Sequence, residues 1–300
     1  MQVVRQVSRP YGKADEKQVT LLIVTPMHNE ANNVSPLVAT LRAQRFQDFD
    51  WVAVDDGSTD GTAESLAEIE PGDLAMVVAK TNDGGLIGGS AFSAWRYGVE
   101  KALSRRPYSH VMKLDADVRL APDYLERVME LAGGGVGITG GVSVSKGMKE
   151  QKLHVMGAVK MYTMAAYRAT ESMPTSIGFD ILDEVAASLS GLETRVDTGA
   201  HFELARYTGA SEGLLHGRYR NGRGCRWTGY WFPYFLVHCG RFLVRRPYVI
   251  GSLAMLWGYL SAGSGPYSKN LKKEHARIQR MKLTRAVRNP LKFWRETYQV

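Results

Sequence analysis

The chain has 300 residues and a formal net charge of +8, with 44% hydrophobic and 23% charged residues. These proportions are ordinary for a folded protein and exclude a wholly disordered chain, and the length suits one large domain or a core domain with an appendage. The two cysteines, Cys225 and Cys239, are too few for a disulfide framework and lack zinc-site spacing, which predicts a reducing compartment.

Short apolar runs and amphipathic segments alternate through the first half of the chain. The predicted strands are 19–24, 51–54, 74–79, 110–114 and 136–144. The predicted helices between them are 32–44, 62–68, 87–104 and 122–131. This alternation predicts an α/β fold whose central, mostly parallel sheet is flanked by helices.

Polar residues follow the first two of these strands. The first strand leads into residues 25–30 (TPMHNE), and the second leads into residues 54–62 (VDDGSTDGT). In an open α/β sheet, side chains at strand ends point into the crevice where ligands bind. The second segment also has the composition of a turn followed by a helix N-terminus, so turn formation alone is an alternative explanation for it.

A third acidic motif, residues 114–117 (LDAD), follows the predicted strand 110–114. Asp115 and Asp117 are two residues apart, so both side chains can project to one side of an extended chain. Their hard carboxylate oxygens suit Mg²⁺ or Mn²⁺, and such a cation in turn suits a diphosphate. A D-x-D triplet alone also occurs in ordinary strand-to-loop turns, where Asp bonds its own backbone. The three segments in this order indicate an enzyme that acts on a nucleotide-activated substrate.

The pattern is weaker in the middle of the chain, where it predicts only a short helix at 182–189 and a strand at 193–196. The sequence that follows is rich in arginine and then in aromatic residues, and two apolar stretches lie at 229–244 and 247–263. The second stretch has seventeen residues without a charge, near the lower limit for crossing a bilayer, and both its flanks are basic. We expect paired helices in the membrane interface or a re-entrant hairpin. Buried helices of a soluble domain are the alternative.

Positive charge is concentrated after residue 268, where ten Lys or Arg stand against two Glu. A nucleic-acid-binding protein would carry its basic residues on a face of the folded domain. We therefore expect no nucleic acid partner and predict that this tail contacts an anionic membrane surface. Residues 1–18 are polar and charged, which predicts no signal peptide and, with the tail, a peripheral protein at the cytoplasmic face of the cell membrane.

The three acidic or polar segments together resemble the inverting family-2 glycosyltransferases, which have the GT-A fold. The resemblance covers roughly residues 18–209. Within that family the chain is similar to bacterial members with an Asp-x-x-Asp-Glu segment, here residues 180–184, and an aromatic, basic C-terminal extension. The resemblance implies a GT-A-like catalytic domain over residues 1–210 and a helical, membrane-associating region over residues 211–300.

The resemblance also implies which residues bind the donor. They are Pro26, His28, Glu30, Asp55, Asp56 and Asp115. The first three would line the nucleoside pocket, and one of the two adjacent aspartates would meet the base. Asp115 and Asp117 would hold Mn²⁺ or Mg²⁺ on the donor diphosphate, where the cation neutralises the charge of the departing group. Many relatives add a histidine as a further ligand; only His201 and His216 lie near the expected place, so the third ligand stays open.

The catalytic base of this family is usually the aspartate of a Glu-Asp pair, eleven residues before a glycine that ends the next helix. Counting back from Gly191 identifies Asp180, although Phe179 stands where the glutamate is expected. Asp183 and Glu184 are rivals one turn further on. Asp180 could alternatively cap the helix that follows it.

The predicted function is that of a metal-dependent inverting hexosyltransferase. It would move a sugar from a nucleotide donor, with a UDP-sugar favoured over a GDP-sugar, to a glycan or lipid-linked acceptor in the synthesis of a cell-surface polysaccharide or glycolipid. The second prediction is a polyprenyl-phosphate sugar synthase, in which a basic residue grips the acceptor phosphate. The candidates for that contact are Lys160, Arg220, Arg223 and Arg226.

Three other classes would fit parts of the sequence. A nucleotidyltransferase would carry a glycine-rich loop with Lys or Arg after the first strand, where residues 26–30 stand instead. A non-catalytic sugar-nucleotide or polysaccharide-binding protein would need no base at Asp180. A nucleic-acid binder would depend on the basic residues 269–300.

Overall fold

A computed structural model describes residues 21–69, 77–80, 90–145, 154–205, 213–243 and 246–290. The chain forms two compact units: Met1–Glu171 with Ser190–Arg206, and Ser172–Leu189 with Tyr207–Val300. The predicted boundary at residue 210 lies next to the end of the first unit, but one internal segment groups with the second unit. The functional division into a catalytic and a membrane-associating region stays a prediction.

An eight-stranded mixed sheet forms the centre of the first unit. Its strands are β1 (Leu21–Met27), β2 (Phe49–Asp56), β3 (Val77–Lys80), β4 (His110–Leu114), β5 (Val118–Leu120), β6 (Val136–Ser143), β7 (Val159–Thr163) and β8 (Glu193–Leu204). The spatial order is β3-β2-β1-β4-β7-β6-β8-β5. The pairs among β1 to β4, and the pair β6–β8, are parallel. The pairs β4–β7, β6–β7 and β5–β8 are antiparallel. The α/β class is therefore confirmed, and parallel pairing dominates in the half of the sheet formed by the predicted strands.

Five helices of the first unit follow or flank these strands. They are α1 (Ala31–Arg42), α2 (Thr62–Ala67), α3 (Ser90–Leu103), α4 (Tyr124–Leu131) and α5 (Met164–Thr170). Helix α3 packs on β1 and β2. It approaches closely because Gly98 has no side chain: a Cβ there would lie 2.6 Å from Val54 and 2.7 Å from Val24. The strands β1 and β2 are largely buried, as the apolar runs 21–24 and 51–54 within them predict.

The second unit is helical in the residues that the structure describes. Its helices are α6 (Phe179–Leu189), α7 (Leu214–Trp227), α8 (Phe232–Gly240), α9 (Tyr248–Ser261) and α10 (Lys269–Arg288). Its core contains Phe235 and Tyr259, whose rings stack with centroids 4.1 Å apart, together with Met255 and both cysteines. The helical C-terminal region is thus confirmed.

The structure differs from the sequence-based prediction in several elements. Strands β5 and β7 and helix α5 were not predicted, helix α7 occupies the arginine-rich stretch, and β8 runs eight residues beyond the predicted strand end at 196. The two apolar stretches do form paired helices, α8 and α9. Among the residues that the structure describes, no helix has the length and apolar character needed to cross a membrane. Residues 1–18, 74–76, 87–89 and 291–300, on which parts of the predictions fall, lie outside the described ranges.

Candidate active site

The ends of β1 and β2 bring the first two polar segments side by side. The parallel register places Met27 opposite Asp55, so the loops that follow leave the sheet at the same edge. Asp55 and Asp56 are both buried. Oδ1 of Asp55 accepts a hydrogen bond from the backbone N–H of Ser58 at 3.0 Å, which closes the turn after β2.

Hydrogen bonds in both directions join these two loops. Nδ1 of His28 lies 3.0 Å from the carbonyl oxygen of Asp56. The N–H of Asn29 donates to Oγ of Ser58 at 3.0 Å, and the N–H of Thr59 donates to Oδ1 of Asn29 at 2.8 Å. Asn29 has a φ of 58°, a left-handed conformation that Asn adopts more readily than most residues. These contacts hold His28 at the sheet edge.

The beginnings of α1 and α2 are joined through Asp60 and Thr62. The N–H of Ala31 donates to Oδ2 of Asp60 at 3.2 Å, and the N–H of Thr62 donates to Oδ1 at 3.1 Å. A hydrogen bond from the Thr62 hydroxyl holds the pKa of Asp60 below its ordinary value. The N–H of Glu30 donates to Oγ1 of Thr62 at 2.8 Å. The backbone at Glu30 and Ala31 is therefore held by side chains of the segment that follows β2.

Asp115 and Asp117 lie in the turn between β4 and β5. Ala116 between them is buried whereas both aspartates are partly exposed, so the two carboxylates share the exposed side of the turn. The N–H of Asp115 donates to the carbonyl of Ala158 at 2.8 Å, and the N–H of Val118 donates to the carbonyl of Asp115 at 3.2 Å. The turn is thus anchored to the backbone that leads into β7.

A buried lysine of β4 contacts the first of these aspartates. Nζ of Lys113 donates to Oδ1 of Asp115 and to the carbonyl of Gly157, the latter at 2.9 Å, and lies 4.9 Å from the centre of the Phe92 ring. The Lys113 side chain is 3% exposed and that of Asp115 is 33% exposed. The ion pair therefore joins an enclosed ammonium to a carboxylate that solvent and ligands can still reach.

Charged groups around this turn influence one another's protonation. Burial raises the pKa of the Asp115 carboxyl; Lys113 opposes that rise, and Asp117 and Glu30 add to it. Burial lowers the pKa of Arg119, which Asp117 and Glu30 raise. Three carboxylates thus share one region with two basic residues, and their mutual repulsion favours the binding of a cation.

The Asp115–Asp117 turn fits a divalent cation that completes its coordination with phosphate oxygens. Mg²⁺ typically takes one or two protein carboxylates and obtains the remaining ligands from substrate phosphates and water. Within the described ranges, His, Cys, Asp and Glu form no metal-type cluster of three or more. His201 is exposed, with Nε2 3.1 Å from the carbonyl of Thr198, and the structure does not add it to the pair.

The candidates for a catalytic base lie on α6, in the second unit. Asp180 is the second residue of this helix and stands in its first turn, so it does not occupy the N-cap position. Asp180 and Glu184 are partly exposed, whereas Asp183 is fully buried and its Oδ1 accepts a hydrogen bond from the N–H of Glu184 at 2.7 Å. Of the three carboxylates, those of Asp180 and Glu184 are the accessible ones.

The residues predicted to bind an acceptor phosphate lie partly in the first unit and partly in the second. Lys160 of β7 is fully buried and lies opposite Lys113 in the β4–β7 pair, which places it inside the first unit. Arg220, Arg223 and Arg226 lie along α7 in the second unit. The guanidinium of Arg223 lies 4.7 Å from the centre of the Trp227 ring, and that of Arg226 lies 5.4 Å from the ring of Tyr259. Arg223 and Arg226 are therefore held against aromatic rings.

Three residues that sequence reasoning missed support the site. Asn29 joins the two loops, Lys113 contacts Asp115, and Nη2 of Arg119 donates to Oδ1 of Asn33 at 2.7 Å. Lys113 left a signal in the sequence, because a lysine within an apolar strand of five residues calls for a buried anionic partner. The contacts of Asn29 and Arg119 depend on distant parts of the chain and left no such signal.

Comparison with known proteins identifies similar sequences. The model of glycosyl transferase family 2 matches residues 22–182, just over half of the chain. Over 117 residues, the chain is 35% identical to polyprenol monophosphomannose synthase of Mycolicibacterium smegmatis, a match that covers 38% of this chain and 41% of that protein. Over 113 residues it is 30% identical to undecaprenyl-phosphate mannosyltransferase of Micrococcus luteus, covering 37% and 43% respectively. The chain thus spans about two fifths of the length of these curated relatives.

Solved structures with similar folds include two transferases. The mannosyltransferase PcManGT of Pyrobaculum calidifontis, solved with GDP-Man and Mn²⁺, has a TM-score of 0.54 and 18% identity, covering 100% of this chain and 87% of that one. S. aureus TarS, residues 1–349 with UDP-GlcNAc, has a TM-score of 0.51 and 16% identity, covering 88% and 75% respectively. At these identities the likeness concerns the fold alone.

Proposed function

The chain belongs to glycosyl transferase family 2, and from that premise we propose that it transfers a sugar from a nucleotide-sugar donor in a reaction that needs a divalent cation. The observation that carries this proposal is the turn at Asp115 and Asp117, beside the two interlocked loops at the ends of β1 and β2. Pro26, His28 and Glu30 would contact the nucleoside, and Asp55 or Asp56 the base.

Asp115 and Asp117 would hold the cation on the donor diphosphate. When bound, the cation neutralises the charge that the departing nucleoside diphosphate gains as the glycosidic bond breaks. Lys113 keeps the Asp115 carboxylate oriented through its Oδ1 atom. The Mn²⁺ in the structure of PcManGT supports the choice of a divalent cation for this fold. Mn²⁺ and Mg²⁺ are the two candidates.

The nucleotide is the first unknown to resolve. The sequence favoured a UDP-sugar, and TarS was solved with UDP-GlcNAc. PcManGT was solved with GDP-Man, and both curated relatives are named for mannose transfer. We propose UDP-sugars and GDP-mannose as the donor set, with release of the nucleoside diphosphate in the presence of Mn²⁺ as the measurement.

Asp115→Asn and Asp117→Asn should each reduce turnover by orders of magnitude and weaken Mn²⁺-dependent donor binding. Without the cation, the donor diphosphate would face like charges. Glu193→Gln is the matched control, since Glu193 is an exposed carboxylate of the same unit that pairs only with the exposed Arg195 in the contacts described. Wild-type rates in both Asp variants would place the donor site elsewhere.

The acceptor is either a hydroxyl group or a phosphate. A hydroxyl oxygen must lose its proton to a base as it attacks the anomeric carbon, whereas a polyprenyl phosphate oxygen is already anionic. The partly exposed Asp180 on α6 supports a glycan or lipid-linked hydroxyl acceptor in cell-surface polysaccharide or glycolipid synthesis. The names of the two curated relatives favour the polyprenyl-phosphate sugar synthase.

The activity of the Asp180→Asn variant distinguishes a hydroxyl acceptor from a phosphate acceptor. Because general-base catalysis typically contributes 10²- to 10⁴-fold, roughly, the hydroxyl acceptor predicts a loss of that size with donor binding unchanged. A loss of only a few-fold supports the phosphate acceptor. Glu184→Gln tests the remaining accessible rival under the same conditions. A non-catalytic nucleotide-sugar-binding protein would release no nucleoside diphosphate in any of these assays.

We further propose that the protein is held at the cytoplasmic face of a membrane, where an acceptor lipid would be found. Helix α10 carries most of the positive tail, and its Lys273, Lys282, Arg285 and Arg288 are exposed. Each basic residue near an anionic leaflet contributes about 1 kcal/mol. Binding to anionic vesicles that falls steeply with added salt would support this electrostatic attachment.

A further inference from the structure

Helix α9 presents a line of large apolar side chains to solvent. Ile250 is 64% exposed, Leu253 58%, Trp257 64% and Leu260 61%. These positions are three or four residues apart and therefore lie on one side of the helix. Single exposed apolar residues are common on protein surfaces, but a continuous line of this kind marks an interaction site.

The opposite side of α9 is held against α7 by close backbone contacts. A Cβ atom at Gly222 would overlap the carbonyl of Met255, and one at Gly258 would overlap the carbonyl of Tyr219. Helices that approach at glycines leave no room for rotation about the helix axis, because any turn would drive a side chain into the partner backbone. The line of apolar residues on α9 is therefore fixed in its outward orientation within the second unit.

Further exposed apolar residues lie in neighbouring segments of the same unit. Phe232, Leu236 and Val237 of α8 are exposed, as are Tyr248 and Val249 at the start of α9. We call the exposed apolar residues of α8 and α9 the apolar surface. It combines aliphatic side chains with Trp257 and Tyr248, and aromatic residues of this kind are enriched where a protein meets the headgroup region of a bilayer.

The charge around the apolar surface identifies its partner. No acidic residue occurs between Glu212 and Glu274, whereas this segment contains seven arginines and three lysines. Arg241 and Arg246, which flank the connection between α8 and α9, are both exposed. A second copy of the chain would bring the same positive charges face to face, which costs energy. An anionic bilayer would bury the apolar side chains in its interface, and its lipid phosphates would attract the positively charged residues.

We propose that the apolar surface inserts into the interface of a bilayer containing anionic lipids, with α8 and α9 lying in the membrane plane and the surrounding arginines contacting lipid phosphates. Amphipathic helices bound in this way bury their apolar side roughly 5–10 Å into the boundary between headgroups and acyl chains. The inference rests on the proposed function in one respect: a lipid-linked acceptor would require the protein to lie at the membrane surface. It adds a hydrophobic attachment that salt does not remove, distinct from the electrostatic attachment of α10.

The test compares charge-matched variants on vesicles of phosphatidylglycerol and phosphatidylcholine in equal parts. Leu253→Glu with Leu260→Glu places two charges on the apolar surface. Met281→Glu with Val287→Glu places the same two charges on exposed positions of α10, where Val287 is 74% exposed. All four positions are exposed, so both variants should keep the thermal stability of the wild type.

We expect the α9 double variant to lose about tenfold or more in partitioning per substituted residue. It should also lose the binding that persists at high salt. The α10 variant should lose only the electrostatic part of the vesicle binding and keep the part that persists at high salt. Equal losses in the two variants at high salt would overturn the proposal.

Tryptophan fluorescence provides the second readout. Wild-type emission should shift to shorter wavelength on vesicle binding, and Trp257→Phe should remove most of that shift while leaving partitioning nearly unchanged. An unchanged emission of Trp257, or sedimentation showing a lipid-free dimer in which Trp257 is protected, would overturn the proposal. Donor binding in the presence of Mn²⁺ is measured on the same samples. Normal vesicle insertion without any sugar transfer would refute the proposed function alone, and normal donor binding without insertion would refute the inference alone.

Discussion

The two aspartates of the candidate metal site should differ in what their removal does to the stability of the metal-free protein. In a site built only from mutually repelling carboxylates, removing either one stabilises the unliganded fold. Here Asp115 is paired with Lys113, whose side chain is only 3% exposed. Asp115→Ala would leave the Lys113 ammonium with the carbonyl of Gly157 and the Phe92 ring.

The size of the effect follows from burial. Breaking a fully buried ion pair by removing one partner costs about 3–5 kcal/mol. Since the Asp115 side chain is one-third exposed, and its removal also relieves repulsion with Asp117 and Glu30, we expect a smaller net loss of about 2 kcal/mol. Asp117→Ala relieves repulsion on Asp115 and loses attraction to Arg119, so its net effect should be within about 0.5 kcal/mol of zero.

Urea unfolding in the presence of a metal chelator measures both variants without any dependence on activity. Lys113→Met completes a double-mutant cycle with Asp115→Ala, and the coupling energy should be about 1.5–3 kcal/mol. Equal free energies of unfolding for Asp115→Ala and Asp117→Ala would refute this reasoning. So would a coupling energy near zero, because it would show that Lys113 and Asp115 do not stabilise one another.

Three further predictions concern the second unit. Gly222→Ala should destabilise it by about 2 kcal/mol or more, measured by thermal unfolding, because the new methyl group would overlap a carbonyl of α9. Burial and two nearby arginines lower the pKa of His238 to about 4, below its unfolded value. The contribution of His238 to the free energy of unfolding is therefore fully present above about pH 6.5 and is lost as the pH falls toward 4. His238→Phe should therefore flatten the acid side of the pH–stability curve, and an unaltered curve would count against this role. Replacing exposed basic residues of α10 by glutamine should reduce the salt dependence of vesicle binding while the fold, monitored by circular dichroism, stays unchanged; the positions are Lys282, Arg285 and Arg288.

The positions of the candidate donor residues could be predicted from the sequence because their signals are local. The apolar run of β1 ends before His28, that of β2 ends at Asp55 and Asp56, and that of β4 ends before Asp115. Strand length, side-chain alternation and turn composition are properties of a few consecutive residues. The parallel pairing of these strands follows from the alternation of strand and helix, so their ends were expected at one edge of the sheet.

Only the tertiary structure showed how these side chains are supported. Pairing of β4 with β7 is antiparallel and joins residues almost fifty positions apart, which places Lys160 opposite Lys113 inside the sheet. The burial of Asp183 and the exposure of Asp180 depend on how α6 packs within the second unit. Apolar composition likewise predicted α9 but not its orientation, which the backbone contacts at Gly222 and Gly258 determine.

The difference between what the sequence predicts and what only the tertiary structure shows has one physical cause. Hydrophobic periodicity and turn chemistry act between neighbours along the chain, so the sequence alone determined which segments form strands and helices and where polar groups emerge from them. The partner of a buried charge and the outward side of an apolar helix depend on contacts between segments that are far apart in sequence. Packing selects those contacts from many that are chemically similar, so only the folded chain decides that Lys113 lies beside the carbonyl of Gly157 and the ring of Phe92, and that Trp257 faces solvent.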